Sequence, residues 1–316
     1  MASERGVTKV LDQAHGDRWT SWHGDVVEVI RGVPDNSVGI SIYSPPFSSL
    51  YTYSDSERDM GNCESDAQFF EQYSFLLPEL LRVTMPGRLT WVHCKDLVDY
   101  ASSEEHGRAG LRDFPGEIIR AHEACGWKYH ARFTVWKDPV VEMQRTKAHG
   151  LLYKQLRTDS TFSRSGLAEY VLVFRKWASE QEAELVRPVG HMPEDFPLEQ
   201  WQRWASPVWM DIDQTDVLNT EIAREDRDEK HMCPLQLDLV ERCLVLGSNP
   251  GDTCFTPFSG IASEGVVSTR LGRPWVGVEL KNTYWKRGVR NLRDANAQRS
   301  LFELLRPLAP TETHAP

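Results

Sequence analysis

Residues 38–47 read VGISIYSPPF, a short apolar run followed by a polar residue, two prolines and an aromatic ring. The run at 38–43 predicts a buried strand. The prolines fix φ and remove two backbone donors, so the chain beyond the strand is stiff and forms no tight hydrogen-bonded turn. What remains is a rigid rim of two acceptors, the Ser44 hydroxyl and the Pro45 carbonyl, with the flat face of Phe47 beside them.

This rim suits a planar base that carries an exocyclic amino group. Two acceptors that share the amino protons keep electron density on the nitrogen, which can then attack an electrophile. The candidate catalytic residues are therefore Ser44, Pro45, Pro46 and Phe47. A Pro-Pro pair also begins many ordinary loops, so the stretch by itself leaves both interpretations open.

Composition limits the class of protein. The chain has 316 residues and 40% hydrophobic content, which indicates a globular core in one large or two small domains. It has no apolar run that could span a membrane and no signal peptide, so we expect a cytoplasmic protein without a membrane partner. The six cysteines form no C-x-x-C pair, which argues against a metal site or a disulfide framework.

Strand and helix signals alternate along the chain. Apolar runs predict strands at 89–93, 129–136 and 170–174, and amphipathic stretches predict helices at 113–125 and 235–246. This order predicts a mostly parallel sheet covered by helices on both faces. Ligands of such sheets bind at the carboxyl ends of the strands, which is where Ser44 falls.

A second candidate site lies near the C-terminus. Residues 251–265 combine a short strand, a turn of small residues and the start of a helix, an arrangement that lets backbone approach a nucleotide. About 20 residues past the turn, Glu279 ends another strand, and an acid at that spacing binds ribose hydroxyls. Asp25 could accept from an adenine amino group, although the sequence favours a helix N-cap there.

Charge is distributed unevenly in a chain of net charge −10. Residues 137–164 hold six basic and three acidic side chains. This mixture suits contacts with DNA phosphates and base edges, but it is also compatible with a solvated surface loop. We favour the interpretation that this segment binds DNA. Residues 178–230 hold 14 acidic against five basic side chains and predict a helical excursion for target recognition or dimer formation.

The polar, aromatic loop at 51–62 could close over a ligand, enter DNA or remain an ordinary surface loop.

Several blocks together resemble the amino-group DNA methyltransferases of the β class, in which the catalytic block precedes the methyl-donor block. SPPF at 44–47 looks like their [DNS]-P-P-[YFW] motif, and TPFSG at 256–260 looks like their D-P-F-x-G-x-G donor motif. GVEL at 277–280 resembles the following G-x-E block, and KHMCPLQ at 230–236 resembles the K-H-P-x-Q segment. The longer form of the catalytic block is most similar to phage-borne and solitary bacterial members.

The resemblance implies a Rossmann-like, doubly wound, seven-stranded and mostly parallel sheet in circularly permuted order. It implies one catalytic domain at 20–295, with a catalytic half at 24–176 and a donor half at 230–295. The donor is S-adenosylmethionine (AdoMet). The predicted donor site comprises Asp25, His231, Cys233, Pro234, Gln236, Thr256, Pro257, Phe258, Ser259, Gly260, Ala262, Ser263, Glu279 and Leu280.

Two positions depart from the donor motif. Thr256 replaces the usual Asp and cannot pair ionically with the donor ammonium. Ala262 replaces the second Gly and adds a methyl group where the backbone should approach the donor. Both substitutions put donor affinity in question.

The resemblance also implies a substrate and partners. We expect double-stranded DNA as substrate, a homodimer, and a restriction endonuclease partner left undetermined. The predicted DNA-contacting residues are Tyr51, Tyr53, Lys137, Arg145, Lys147, His149, Lys154, Arg157, Ser163 and Arg164. Adenine-N6 is the preferred target, with cytosine-N4 as the alternative, and a catalytically inactive DNA-binding regulator or an RNA methyltransferase as further alternatives.

Overall fold

The computed structural model describes residues 9–47, 58–99, 110–146, 153–163, 165–219 and 234–305. These ranges contain eleven strands and nine α-helices. The strands are β1 (Val10–His15), β2 (Trp19–Gly24), β3 (Val38–Tyr43), β4 (Thr84–Cys94), β5 (Leu97–Asp99), β6 (Gly110–Arg112), β7 (Lys128–Val135), β8 (Glu169–Arg175), β9 (Val208–Trp209), β10 (Cys254–Thr256) and β11 (Trp275–Glu279).

Side chains cap the first turns of two of the longer helices. Ser65 accepts a hydrogen bond from the Gln68 amide, and Asp113 accepts one from the Gly116 amide. The helices are α1 (Val26–Val29), α2 (Asp66–Val83), α3 (Phe114–Ala124), α4 (Pro139–Thr146), α5 (Tyr153–Thr158), α6 (Leu198–Trp204), α7 (Leu237–Gly247), α8 (Ser263–Arg270) and α9 (Asn282–Leu305).

Nine strands form one sheet in the order β1-β2-β11-β10-β3-β4-β8-β7-β9. The central run from β2 to β4 is parallel, β8 is antiparallel to both β4 and β7, and β1 is antiparallel to β2. One apolar cluster packs α1, α2 and α3 on one face, and another packs α7, α8 and α9 on the other. The predicted doubly wound, mostly parallel α/β fold is confirmed.

The sheet has nine strands where the sequence predicts seven. The additional strands are the edge strands β1 and β9, and β9 pairs with β7 through only two residues. The acidic segment at 178–230 is also less helical than predicted. Where the structure describes it, it holds a 3₁₀ turn at Glu180–Leu185, the seven-residue α6 and β9.

The pairing of β3 with β10 sets the position of the functional site. Ile40 lies opposite Cys254 in parallel register. Chain connections leave this pair in opposite directions, from β10 to β11 on one side and from β3 to β4 on the other. Such a reversal opens a crevice at the carboxyl ends of the two strands, and ligands of open α/β sheets bind there.

A buried ion pair holds the opposite end of these strands. Arg88 on β4 is 1% exposed, and its Nη1 lies 3.0 Å from Asp252 Oδ2, just before β10. Asp252 reaches across β3 at Gly39, where a Cβ would lie 2.6 Å from Asp252 Cβ. A side chain at position 39 would therefore displace the carboxylate that Arg88 needs.

A second buried network fixes the carboxyl end of β3. The Tyr43 and Tyr73 hydroxyls are 2.7 Å apart, and the Tyr43 hydroxyl lies 3.3 Å from His122 Nε2. His122 Nδ1 donates to the Ile118 carbonyl at 2.8 Å, and its ring stacks on Phe174. The ring proton is therefore on Nδ1, so Nε2 accepts from Tyr43, which in turn accepts from Tyr73.

None of the helices in the described ranges has the length and apolar character needed to cross a membrane.

Burial lowers the pKa of His122 to about 3, and its hydrogen bond to Ile118 only partly opposes the shift. Below the ordinary His pKa the unfolded chain takes up a proton that the native ring refuses, so stability falls as the pH falls. From pH 7 to pH 5 the wild type should lose about 2 kcal/mol more unfolding free energy than His122→Gln. The glutamine amide can replace both hydrogen bonds without titrating. Urea denaturation of both proteins at the two pH values tests this, and parallel pH dependences would contradict it.

Candidate active site

A cleft opens at the carboxyl ends of β3, β10 and β11. The predicted catalytic residues Ser44, Pro45, Pro46 and Phe47 all line it. Phe47 leans on Phe114 of α3, with ring centroids 6.4 Å apart and planes tilted by 58°. Because β3 is buried along all six residues and Tyr43 is anchored to two helices, the rim that follows has a fixed position.

A line of polar side chains leads away from Ser44 into the protein. Ser44 Oγ lies 3.5 Å from His93 Nδ1 at the end of β4. His93 Nε2 lies 2.9 Å from Glu169 Oε2, and Lys137 Nζ lies 2.7 Å from the same oxygen. His93, Glu169 and Lys137 are each at most 8% exposed. The sequence offers Lys137 as a phosphate contact on the surface; that role does not agree with an ammonium that is buried and ion-paired.

Burial opposes the ionisation of Glu169, but the interactions with His93 and Lys137 outweigh it and hold the pKa of Glu169 well below its usual range. The carboxylate is therefore ionised and can only accept hydrogen bonds. The sequence predicts a strand at 170–174, directly after Glu169, but gives no sign of the contact with His93, because the two residues are far apart in the chain.

The glycine turn after β10 forms the opposite wall. Gly260 has a left-handed φ of 50°, and its amide donates to Glu279 Oε2 at 2.7 Å. The Lys281 amide donates to the other oxygen, Oε1, at 2.8 Å. Glu279 thus ties the end of β11 to the turn. Pro257, Phe258, Ser259, Gly260, Ser263, Glu279, Leu280, Pro234 and Asp25 from the predicted donor site line the cleft.

The two departures from the donor motif point away from the cleft. The Thr256 hydroxyl is fully buried and accepts from Trp275 Nε1 at 3.0 Å. Ala262 adopts a left-handed conformation with φ of 67° and caps α8. Gly288 of α9 faces it, and a Cβ at position 288 would lie 3.3 Å from the Ala262 methyl group. Neither residue is among those that line the cleft, so the extra methyl group is accommodated on the α9 side.

Four carboxylates line the cleft, and they differ in their partners. Asp25 accepts from the Val27 amide as the α1 N-cap and pairs with Arg58, whereas Asp59 accepts from the Gly61 amide. Glu279 holds the glycine turn. Glu264, in the first turn of α8, is 4% exposed, and no Lys, Arg or His of the described ranges forms an ion pair with it.

Both glutamates of this wall have raised pKa values. Burial raises the pKa of Glu264 to about 8, against the opposing effect of its own backbone amide. Burial also raises the pKa of Glu279 to about 7, opposed by the Lys281 and Gly260 amides and aided by the charge of Asp59. Glu264 was not predicted, because a glutamate in a first helical turn is ordinarily explained by the helix dipole.

One further polar atom of the cleft has no partner among the described residues. Ser263 Oγ is buried, lines the cleft and accepts or donates no hydrogen bond in the described ranges. Gln236, also predicted for the donor site, does not line the cleft. Buried polar groups are normally paired, so Ser263 is available to a ligand with hydrogen-bonding groups. Together with the Gly260 turn and the carboxylates, it suits a nucleoside that carries an amino acid.

Several predicted residues lie outside the described ranges. Arg58 and Asp59, from the loop at 51–62 for which the sequence offers a ligand contact, line the cleft. Of the basic insertion, α5 presents Lys154 and Arg157 as exposed side chains. Ser163 is half-buried, and the Arg145 side chain is not described. The predicted residues outside the description are Tyr51, Tyr53, Lys147, His149, Arg164, His231 and Cys233.

Solved structures of similar fold support this arrangement. TTHA0409 of Thermus thermophilus, in complex with S-adenosyl-L-methionine, has a TM-score of 0.63 at 21% identity over 89% of this chain and 95% of that chain. PvuII DNA methyltransferase, named as cytosine-N4-specific, has a TM-score of 0.60 at 13% identity over 92% of this chain and 96% of that chain. At these identities the likeness shows the fold.

Sequence relatives agree. Type II methyltransferase M.BamHI of Bacillus amyloliquefaciens is 31% identical over 263 residues, which cover 83% of this chain and 54% of the relative. Type II methyltransferase M.Cfr9I of Citrobacter freundii is 23% identical over 287 residues, 84% of each chain. The family model described as DNA methylase, for N6 and N4 enzymes, matches residues 38–290. The chain therefore belongs to the N6/N4 DNA methylase family and uses AdoMet as its methyl donor.

Proposed function

We propose that this enzyme methylates the exocyclic amino group of a base flipped out of duplex DNA, with adenine-N6 as the first target. The observation that supports it most directly is the acceptor rim at Ser44 and Pro45, which shares one cleft with the glycine turn and Glu279. An amino group inside a duplex is paired and out of reach, so the base has to leave the stack. The residues proposed for the base and those proposed for the donor thus line the same cleft.

In this proposal AdoMet supplies an electrophilic methyl group when bound. The protein's own residues then act by positioning. Phe47 stacks on the flipped base, and Ser44 Oγ and the Pro45 carbonyl accept from its amino group. These acceptors hold the nitrogen in line and keep its electron density available.

Cytosine-N4 is the second candidate target. Adenine and cytosine both present an amino group beside a ring nitrogen, so the two acceptors serve either base. Ser44 is the motif residue commonest among cytosine-N4 enzymes of the resembled class, and a structure named as cytosine-N4-specific shares the fold. The preference for adenine rests on the likeness to phage-borne members.

Parallel incubations of the enzyme and AdoMet with mixed-sequence duplex DNA and with RNA, followed by mass spectrometry of the nucleosides, test the proposal. We expect N6-methyladenine; N4-methylcytosine would select the second target, and methylation confined to RNA would contradict both. Phe47→Ala should lower the rate by about 10–100-fold, because base–aromatic stacking contributes about 1–3 kcal/mol. Donor affinity should not change. The matched control is Phe75→Ala, an aromatic residue of α2 that is 60% exposed.

We further propose that Glu264 receives the ammonium group of the donor's amino acid portion. It is the cleft carboxylate that neither caps a backbone turn nor pairs with a described cation. Thr256, at the motif position that usually carries the acid, is turned to Trp275. In this proposal Glu264, in the first turn of α8, provides the carboxylate that the motif usually carries at position 256. Glu279 then accepts hydrogen bonds from the ribose hydroxyls.

The affinities of two ligands distinguish a role of Glu264 in donor binding from a purely structural role. Glu264→Gln should weaken the binding of S-adenosylhomocysteine by about 1.5–3 kcal/mol, the contribution of a hydrogen bond to a charged group. The same variant should bind 5′-methylthioadenosine, which lacks the amino acid portion, with unchanged affinity. Calorimetry measures both. Equal weakening of the two ligands would mean that Glu264 only supports the fold, and no binding of either by the wild type would remove the donor site.

DNA is proposed to lie along the basic insertion. Changing both Lys154 and Arg157 to alanine should weaken DNA binding and reduce the log–log salt slope by about 0.9 for each phosphate that the protein no longer neutralises. The control is Arg187→Ala with Arg203→Ala, which removes the same charge from exposed positions of the acidic segment. Fluorescence anisotropy over a salt series measures the slope. Equal slopes in the two double variants would place DNA elsewhere.

The predicted partners other than DNA remain proposals. A homodimer is supported by the acidic segment, where Met192, Leu198 and Trp201 are 63%, 67% and 48% exposed. Trp204 and Trp209 of the same segment are buried. A paired restriction endonuclease remains a proposal, supported by the names of the Type II relatives.

A further inference from the structure

Behind the catalytic rim lies the buried chain Ser44–His93–Glu169–Lys137. Consecutive members are 3.5, 2.9 and 2.7 Å apart, measured between Ser44 Oγ and His93 Nδ1, His93 Nε2 and Glu169 Oε2, and Glu169 Oε2 and Lys137 Nζ. Burying several polar groups in series costs free energy unless each is satisfied. This chain is distinguished by its position, because its first member is the predicted catalytic Ser44 of the acceptor rim.

The partners of His93 determine which ring nitrogen carries the proton. The ionised carboxylate of Glu169 can only accept, so His93 Nε2 donates to it. The other ring nitrogen, Nδ1, lies 3.5 Å from the Ser44 hydroxyl oxygen. In the tautomer that carries its single proton on Nε2, Nδ1 can accept the hydrogen of that hydroxyl.

A serine at the catalytic position has a difficulty that an aspartate would not have. Its hydroxyl is both a donor and an acceptor, and its hydrogen rotates freely. If that hydrogen pointed into the base pocket, it would meet the hydrogens of the base amino group and remove an acceptor from the rim. An acceptor behind the serine is needed to draw the hydrogen away from the pocket.

We propose that His93, oriented by Glu169 and Lys137, is a positioning residue that accepts the Ser44 hydroxyl hydrogen and so turns the Ser44 lone pairs toward the base. The inference rests on the proposed function and deepens it. It explains how a serine serves as a pure acceptor in this enzyme. It also gives the buried lysine a role as the cation that keeps Glu169 ionised and His93 in one tautomer.

The kinetic test compares two substitutions of His93, one that removes the hydrogen-bond acceptor and one that keeps an acceptor near the former Nδ1. His93→Phe keeps a ring but removes the acceptor, and its single-turnover methyl transfer should fall by about 10–100-fold, the usual cost of losing a supporting partner of a reacting group. His93→Asn can place an amide oxygen near the former Nδ1 and should retain most of the rate. Affinities for S-adenosylhomocysteine and DNA should be unchanged in both variants. A wild-type rate in His93→Phe, or equal losses in the two variants, would overturn the proposal.

A substitution of Ser44 tests whether His93 acts through the Ser44 hydroxyl. Ser44→Asn presents a carbonyl oxygen that carries no hydrogen, so its activity should depend less on the acceptor behind it. Adding His93→Phe to Ser44→Asn should therefore cost at least several-fold less than adding it to the wild type. Equal costs in the two backgrounds would show that His93 does not act through the Ser44 hydroxyl.

A spectroscopic test is independent of methyl transfer. In ¹⁵N-histidine-labelled enzyme, His93 should show a protonated Nε2 and a bare Nδ1, assigned by the loss of its signals in His93→Asn. Ser44→Ala should shift the Nδ1 resonance, because the hydrogen bond is lost. A protonated Nδ1 in the wild type, or an Nδ1 resonance indifferent to Ser44→Ala, would overturn the inference even if DNA methylation is confirmed. If the wild type methylates no DNA, the proposed function fails, and the spectrum still decides whether the hydrogen bond exists.

Discussion

The parallel pairing of β3 with β10 is the constraint on which the site depends. It brings the acceptor rim after β3 and the glycine turn after β10 to one edge, although the two segments are far apart in the chain. Only two residue pairs and two flanking hydrogen bonds from the Gly39 and Ile40 amides to the Thr253 carbonyl join the strands. The Arg88–Asp252 ion pair also links β4 to the start of β10 across Gly39, and loss of Asp252 would leave the buried Arg88 guanidinium without its charge partner.

Local signals predicted the parts of the site that are contiguous in sequence. The SPPF stretch follows a strand, the glycine turn precedes a helix, and Glu279 lies at the spacing that brings it back to Gly260. Contacts between distant segments were not predictable. Lys137 belongs to a basic stretch, and no local pattern shows that its ammonium turns inward to Glu169. The edge strand β9 has two residues and no periodicity, so its pairing with β7 carries no sequence signal.

The departures from the donor motif show how tertiary context changes the meaning of a residue. The left-handed backbone at Ala262 is costly for a residue with a Cβ, by about 1–2 kcal/mol. Its methyl group finds room because position 288, on a helix late in the chain, is glycine. Thr256 loses the charge of an aspartate but pairs with the indole of Trp275 in the core. Comparison with the motif alone would count Thr256 and Ala262 as defects of the donor site. In the structure both side chains pack against other residues, and the buried Glu264 in the first turn of α8 brings a carboxylate to the cleft.

Two hydrogen-bond networks begin at adjacent residues at the carboxyl end of β3 and extend into the protein in different directions. Tyr43 is tied through Tyr73 and His122 to the helices on one face, and Ser44 contacts His93 within the sheet edge. Because the rim is held from both sides, its acceptors are in place before a base arrives, and the free energy released on binding the base is not spent on ordering them. In the proposed reaction the enzyme must also meet the cost of unstacking the target base. A rim that needs no ordering leaves more of the binding free energy for that step.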